Sequence, residues 1–400
     1  MRDRSLATWF FLVLGGLLAL NAILCSPDPQ GIYTALHPSS GLDIRRFYTC
    51  SWCLRVGQDV YGDAFRAISN QLFGYVQPDH ENYHPPGFYF WMQLLTWTSP
   101  PNIVRVFDGV SSLVFLGGTN LLVWTLFEQR VARAFGLFLS VAILLCPLAI
   151  SNFYLGQVAL LVGGLLALTY VFAQRNFQVA AGLCLALAID AKIYPALLLG
   201  CFLRPLRKRA LLACLGLLLL TNLGGVLCGG LGQLSGFFSE AVNVPVKPGI
   251  RSESIPSVLA RLQPGWAAGA YALSRLAMVL SALLCLRLGT RPHHKTYLFC
   301  LAILSFQVWA PFCWTYQRFL NLVPWLLSCS QVRREKKASW LLPTFLTLSL
   351  MLEGDLVWNP TLNLVHRFYA EWGLSLWLNL LAWALALHLS CESDENEVQE

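Results

Sequence analysis

Four stretches of this 400-residue chain place charged or hydrogen-bonding side chains where chemistry could be done. The first is Gly41-Leu-Asp43-Ile-Arg45-Arg46-Phe47-Tyr48, shortly after an apolar run over 6–25. A carboxylate held near a membrane surface, with arginines beside it, is placed to act as general base toward an acceptor hydroxyl. The competing reading is a loop aspartate that satisfies local backbone or Arg45. Gly57-Gln-Asp59-Val-Tyr61 and Tyr83-His84-Pro85-Pro86 follow in the same stretch, and Gly156-Gln157 opens a later apolar segment. The third is Asp190-Ala-Lys192-Ile-Tyr194-Pro195, set inside an apolar segment. Two charges there are costly unless they face a polar cavity, so a functional reading is the default; the alternative is an Asp190–Lys192 ion pair that only stabilises a helix break. The fourth is Pro311-Phe-Cys-Trp314-Thr-Tyr316-Gln317-Arg318, where Arg318 either helps to hold a lipid phosphate or snorkels to an interface. Lys247, Arg251, Ser252, Glu253 and Ser254, and further on His366 and Arg367, each read alone as solvated loop residues.

The elements that must position these groups are read from composition. With 56% hydrophobic and only 12% charged residues, the chain carries about half the charge of an average soluble protein. A bilayer core about 30 Å thick needs about 20 apolar residues per helix. Apolar segments run over 6–25, 104–127, 133–151, 157–173, 178–203, 210–228, 265–288, 297–310, 316–329, 339–353 and 372–390. The fold class expected is all-α: one polytopic transmembrane bundle over 1–391, with about ten full spans plus half-length re-entrant helices, and an acidic cytoplasmic tail over 392–400. Segment 6–25 reads as an uncleaved first span rather than a signal peptide. Lys and Arg gather between segments, at 128–133, 174–178, 204–209, 287–295 and 333–337, and the positive-inside rule puts these connections and both termini in the cytoplasm. Segment 178–203 then has a cytoplasmic connection at both ends, so it must enter and return, broken around Asp190 to Pro195. The stretch 86–98 is too short to span and reads as re-entrant or interfacial. The long polar connections 26–85, 229–264 and 353–371 fall on the outer face.

Several classes drop out. The net charge of +7 lies in short clusters that report topology, with no basic face for nucleic acid. The 13 cysteines sit mostly singly in apolar runs, and Cys50-x-x-Cys53 without further partners is a weak redox or metal signal. The chain has no phosphate-binding loop, no serine-hydrolase elbow, no H-E-x-x-H and no dinucleotide fingerprint.

Taken in order, the Asp43 segment, Gly57 to Tyr61, Tyr83 to Pro86, Gly156-Gln157, Ala181-Gly182 through Lys192-Ile-Tyr-Pro195, the Ser254 to Leu262 stretch and Pro311 to Trp314 resemble the GT-C integral-membrane glycosyltransferases, most closely family 87. Two departures stand out. Family members often carry a histidine after the Pro-x-x-Trp, where this chain has Tyr316 and Gln317, and an asparagine where it has Glu253. The resemblance implies an inverting transfer of a sugar, mannose by family habit, from a polyprenyl-phosphate donor to a hydroxyl of a glycolipid or glycan. It implies Asp43 as base, Lys192 and Arg318 as cations on the leaving phosphate with Arg45 or Arg46 behind them, and Tyr83, His84, Gln157, Asp190, Tyr194, Ser254, Tyr316 and Gln317 as substrate contacts. It implies no cofactor and no required metal, and a multi-pass protein of a bacterial inner membrane working on the outer face. The rival is a flippase or secondary transporter for a lipid-linked sugar; no inverted repeat is apparent, and the polar residues gather on one face.

Overall fold

The computed structural model describes residues 2–24, 41–62, 64–74, 84–202, 208–242, 252, 254–289, 295–311, 313, 315–332, 337–352 and 374–391. Tyr83, Lys247, Arg251, Glu253, Trp314, His366, Arg367 and the tail 392–400 lie outside them, as does the side chain of Tyr316. Among the described residues the fold is all-α, with helices, short 3-10 segments and no strand. Leucine-rich apolar runs form helices because a helix satisfies every backbone group within the segment, which an apolar surround demands.

In chain order the helices are α1 (Arg2–Leu24), α2 (Leu42–Arg55), α3 (Ala64–Phe73), α4 (Pro86–Met92), α5 (Ile103–Leu126), α6 (Arg130–Leu144), α7 (Pro147–Leu155), α8 (Ala159–Gln174) and α9 (Gln178–Ala191). There follow α10 (Lys208–Gly229), α11 (Gly232–Val242), α12 (Ile255–Leu262), α13 (Ala267–Gly289), α14 (Lys295–Trp309), α15 (Leu322–Ser330), α16 (Lys337–Leu352) and α17 (Leu374–Cys391). The break expected around Asp190 to Pro195 is present: α9 ends at Ala191 and a 3-10 segment, Tyr194–Phe202, takes over. The stretch expected to be too short to span is the seven-residue α4 followed by a 3-10 turn over Gln93–Trp97.

One expectation changes. The connections 26–85 and 229–264, expected as polar connections, contain α2, α3, α11 and α12, which the polarity of those stretches had hidden. In α2 a stripe of Ile44, Phe47, Tyr48, Ser51 and Leu54 is buried against neighbouring helices, so tertiary packing rather than overall hydrophobicity makes it a helix. Of the spans expected, four helical stretches among the described residues are long and apolar enough to cross a membrane, Ser5–Ile23, Pro100–Leu126, Lys208–Gly229 and Pro264–Gly289, or five if the pair α6 and α7, bent by 46°, is one span. The bend falls at Cys146-Pro147, because proline can open a helix but cannot continue one. The other apolar helices are 10–17 residues long.

Helices pack through glycine. A Cβ on Gly164 of α8 would overlap the backbone of Val114 in α5, and one on Gly118 of α5 would overlap Gly164 in turn. Small residues let helix backbones approach where lipid gives no hydrophobic drive to associate. The same device joins α9 to α10 at Gly182, and the 3-10 segment 194–202 to α13 at Gly200 and Gly289. This frame holds two places still: the turn between α7 and α8, and the break after α9.

Candidate active site

The first turn of α2 carries Asp43, and two left-handed glycines put it where it is. Gly41 (φ 76°) caps α2 and donates its backbone N–H to the Tyr154 carbonyl at 2.8 Å. Gly156 (φ 67°) ends α7, and a Cβ there would stand 2.5 Å from Ile44 Cγ2. Only glycine takes this conformation and this closeness without strain. The start of α2 therefore sits directly on the Gly156-Gln157 turn. Gln157, 6% exposed, donates its side-chain amide to Asp43 Oδ2, and Arg46 Nη1 lies 3.8 Å from Asp43 Oδ1. Asp43 and Arg46 keep 25% and 21% of their side-chain surface, so the pair faces open space. Arg45 sets its guanidinium 5.4 Å from the Phe73 ring of α3, a cation–π contact.

His84 precedes α4 and is buried between Phe47, at 4.6 Å edge-on, and Phe88, stacked at 4.5 Å. The Ala191 backbone, next to Lys192, lies close enough to its ring to act on its proton affinity. Burial pushes the imidazole well below 6.5, and the positive charges of Lys192 and Arg46 push the same way, so His84 is a neutral group between two cations. Nδ1 of that ring is buried with no hydrogen-bond partner among the described residues. The Gly57 to Tyr61 motif serves this placement. Asp59 Oδ1 accepts from the Tyr61 backbone at 2.9 Å and from Gln233 of α11 at 3.0 Å, and the Tyr61 hydroxyl donates to the His84 carbonyl at 2.7 Å.

At the break after α9, Asp190 is wholly buried. It accepts from Thr221 Oγ1 at 2.7 Å and from Asn222 Nδ2 at 3.1 Å, both on α10. Lys192 is partly exposed, and Tyr194 stacks on Phe306 of α14 at 3.7 Å between ring centroids. The structure thus brings Asp43, Arg46, Gln157, His84 and Lys192 into one neighbourhood, with Asp190 beneath it.

The remaining candidates lie in the 3-10 segment Thr315–Asn321, which packs on α7 and α8, and at the start of α12. Arg318 is fully buried and Gln317 is 2% exposed, so Arg318 does not snorkel outward. Ser254 caps α12, accepting from the Ser257 N–H at 3.4 Å, and it also donates to Ser257 Oγ at 3.1 Å. Ser257 Oγ donates to the Pro311 carbonyl at 3.0 Å, and Ser252 Oγ accepts from the Cys313 N–H at 3.2 Å. This serine cluster fastens the segment after α14 to α12.

Three groups escaped the sequence reading. Thr221 and Asn222 hide inside α10, and Asp108 inside α5 is 5% exposed, with Oδ2 lacking a hydrogen-bond partner among the described residues. The signal was available, since a polar or ionisable side chain within an apolar, span-length segment is costly unless something requires it. Cys50 and Cys53 are buried and form no disulfide, and burial pushes the Cys53 thiol up to about 12, so both behave as small apolar side chains. Among the described residues no three His, Cys, Asp or Glu side chains gather into a group that could hold a metal ion.

A family model described as glycosyltransferase family 87 matches residues 82–311. None of the curated proteins matches the chain. The matched stretch holds His84, Gln157, Asp190, Lys192 and Ser254; it begins after Asp43 and stops before Arg318. The first turn of α2 thus joins the matched region through the contact of Asp43 with Gln157. The match covers more than half of a chain whose apolar helices are those of a membrane protein, and so the chain belongs to glycosyltransferase family 87 and is a glycosyltransferase.

Proposed function

We propose that this glycosyltransferase moves a sugar, mannose first among candidates, from a polyprenyl-phosphate donor to a hydroxyl of a glycolipid or glycan, with inversion, at the outer face of a bacterial inner membrane. The supporting observation is the half-open Asp43–Arg46 pair beside neutral His84 and Lys192. Inversion at the sugar carbon calls for a base on the acceptor side and charge stabilisation on the leaving side. Asp43 takes the acceptor proton, with Gln157 and Arg46 fixing its direction. Lys192 and the buried Arg318 neutralise the phosphate charge that develops, with Arg45 or Arg46 behind them. Gln157, His84, Tyr194 and Gln317, with Tyr83, Tyr316 and Ser254 around them, serve as substrate contacts. A monophosphate leaving group already carries the activated bond, which suits a chain without a nucleotide-binding motif and a step that needs no metal. The shorter apolar helices, paired across breaks, supply the remaining spans of a bundle of about ten, with both termini cytoplasmic.

The test uses purified protein in lipid, a panel of short-chain polyprenyl-phosphate sugars and a membrane glycolipid extract, comparing wild type with Asp43→Asn by mass spectrometry. Wild type should form a glycosylated product, and the variant should bind donor without forming it. Equal turnover in the variant removes Asp43 from the mechanism.

A second reading, transport of a lipid-linked sugar, has one observation in its favour. A cavity of about 870 Å³ opens at the other end of the bundle, where Thr8, Phe127, Gln174 and Ser330 mark the start of α1 and the ends of α5, α8 and α15. Donor binding without transfer, together with flipping in liposomes, would favour it.

A further inference from the structure

We infer that Asp190 is a positioning residue: through Asn222 it ties the start of α4 to the break after α9 and so sets the spacing of His84 and Lys192. The inference rests on the site proposed above. Asp190 has none of its surface exposed, and each of its carboxylate oxygens is taken up by a side chain of α10. Its contacts all lead to scaffold. Asn222 donates to Asp190 Oδ1 at 3.1 Å, and the Oδ1 of the same amide accepts the backbone N–H of Gly87 at 3.1 Å. One side chain of α10 thereby joins α9 to the first turn of α4. Asn222 is itself held, donating to the Leu218 carbonyl at 2.8 Å, and Thr221 holds the other carboxylate oxygen at 2.7 Å.

The fit at α4 is close. A Cβ on Gly87 would stand 2.7 Å from Asp190 Oδ1 and from Asn222 Nδ2, and 2.8 Å from Thr221 Oγ1. Gly225 and Gly224 of α10 receive Pro86 and the Phe90 ring at 2.8 Å and 2.7 Å. The helix is thus seated in a glycine groove and keyed by Asn222. His84 stands two residues before Pro86, and Lys192 two residues after Asp190. The Ala191 backbone between them lies near enough to the His84 ring to act on its proton affinity, which closes the loop. A buried carboxylate tied by neutral donors at both ends of this loop fixes a distance; it does not supply a charge to the reaction. Misplacing reacting groups by about 1 Å costs on the order of 100-fold in rate.

The experiment compares wild type, Asp190→Ala, Asp190→Asn, Asn222→Ala and the Asp190→Ala/Asn222→Ala double variant, each as the full chain in lipid nanodiscs. Two quantities are read: kcat and donor KM with a short-chain polyprenyl-phosphate mannose, and the rate at which diethyl pyrocarbonate modifies His84, mapped by peptide mass spectrometry against exposed His388 in the same sample. Each alanine variant should lose about 100-fold in kcat with donor KM within a few-fold. The double variant should be no worse than either single one, because both cut the same tie. His84, inert in wild type, should become reactive in all three.

Asp190→Asn should restore most of the activity: its carboxamide oxygen still accepts from Asn222, and its amide can donate to Thr221 while that hydroxyl turns to the Leu217 carbonyl, 2.9 Å away. Wild-type kcat with inert His84 in Asp190→Ala overturns the inference. So does a raised KM with kcat intact, or an Asp190→Asn as inactive as the alanine variant. Should Asp190→Ala fail to accumulate, Asn222→Ala and Gly87→Ala are read by the same two measurements: lost kcat with reactive His84 supports the tie, and wild-type kcat with inert His84 overturns it. If wild type transfers sugar from no donor, the reading of the site fails, while the reactivity of His84 still reports whether Asp190 and Asn222 hold it.

Discussion

Asp43 and Asp190 are carboxylates at opposite ends of their helices, the first turn of α2 and the last turn of α9, and they are held in different ways. Asp43 keeps a quarter of its surface and has Arg46 for a neighbour; Asp190 has no surface and is held by a hydroxyl and an amide. A carboxylate at a charged, open edge can take up and release a proton. One surrounded by neutral donors at zero exposure serves as a fixed acceptor around which backbone is arranged. The same residue type therefore does chemistry in one region and geometry in the other, and exposure with the charge of the partner separates the two roles.

The comparison can be broken most sharply at Asp43. Asp43→Asn keeps the size and the contact with Gln157 but removes the base, and should cut sugar transfer on the order of 1000-fold with little change in Tm. A comparable loss of Tm would show that Asp43, like Asp190, is scaffold. Next in size is Gly156→Ala. The added methyl meets Ile44 at 2.5 Å in a left-handed residue, so α2 must shift. Activity should fall about 100-fold and stability by about 1–3 kcal/mol, read by product formation and by thermal unfolding in lipid. Gln157→Leu removes one donor from Asp43 without moving the turn, and should lower kcat about tenfold, the worth of a hydrogen bond to a charged group.

The smallest effect is a pH dependence of stability. His84 is held neutral in the folded state, with its proton affinity lowered below the ordinary 6.5, while the unfolded chain protonates it near that value. The unfolded state therefore binds the extra proton first. Stability is full above pH 6.5 and declines as pH falls through that value toward the lowered folded one. Thermal unfolding between pH 8 and 5 should show a shallower acid decline for His84→Gln than for wild type. Identical slopes would mean that His84 does not stay neutral between Lys192 and Arg46.

Much of the bundle was legible in the sequence. The extents of α10, α13 and α14 follow from apolar runs that each abut one basic cluster, and the break after α9 follows from two charges and a proline within six residues. Asp43, His84, Gln157 and Lys192 stood out because their types are costly or chemically able where they lie. What was hidden lay in polar stretches and in pairs distant along the chain. The stripe of α2 has a helical period, but only burial against α4, α5, α7 and α10 turns it into an element rather than a loop. Thr221 and Asn222 are unremarkable in a leucine-rich segment until Asp190 and Gly87 arrive beside them.

The sequence by itself determined the class of the molecule. Composition forces helices in an apolar surround, because backbone polar groups there must be satisfied within the segment. It also determined which side chains could do chemistry, since each carries its charge and its donors wherever it is placed. Only the tertiary structure decided which of them meet. Asp43 reaches Gln157 across 114 residues of chain, and Asp190 reaches Asn222 across 32, through close approaches that glycines at 41, 156 and 87 permit. Such contacts depend on clearances of a few tenths of an ångström between elements, and no local pattern of residue types encodes a distance between segments that pack only after folding.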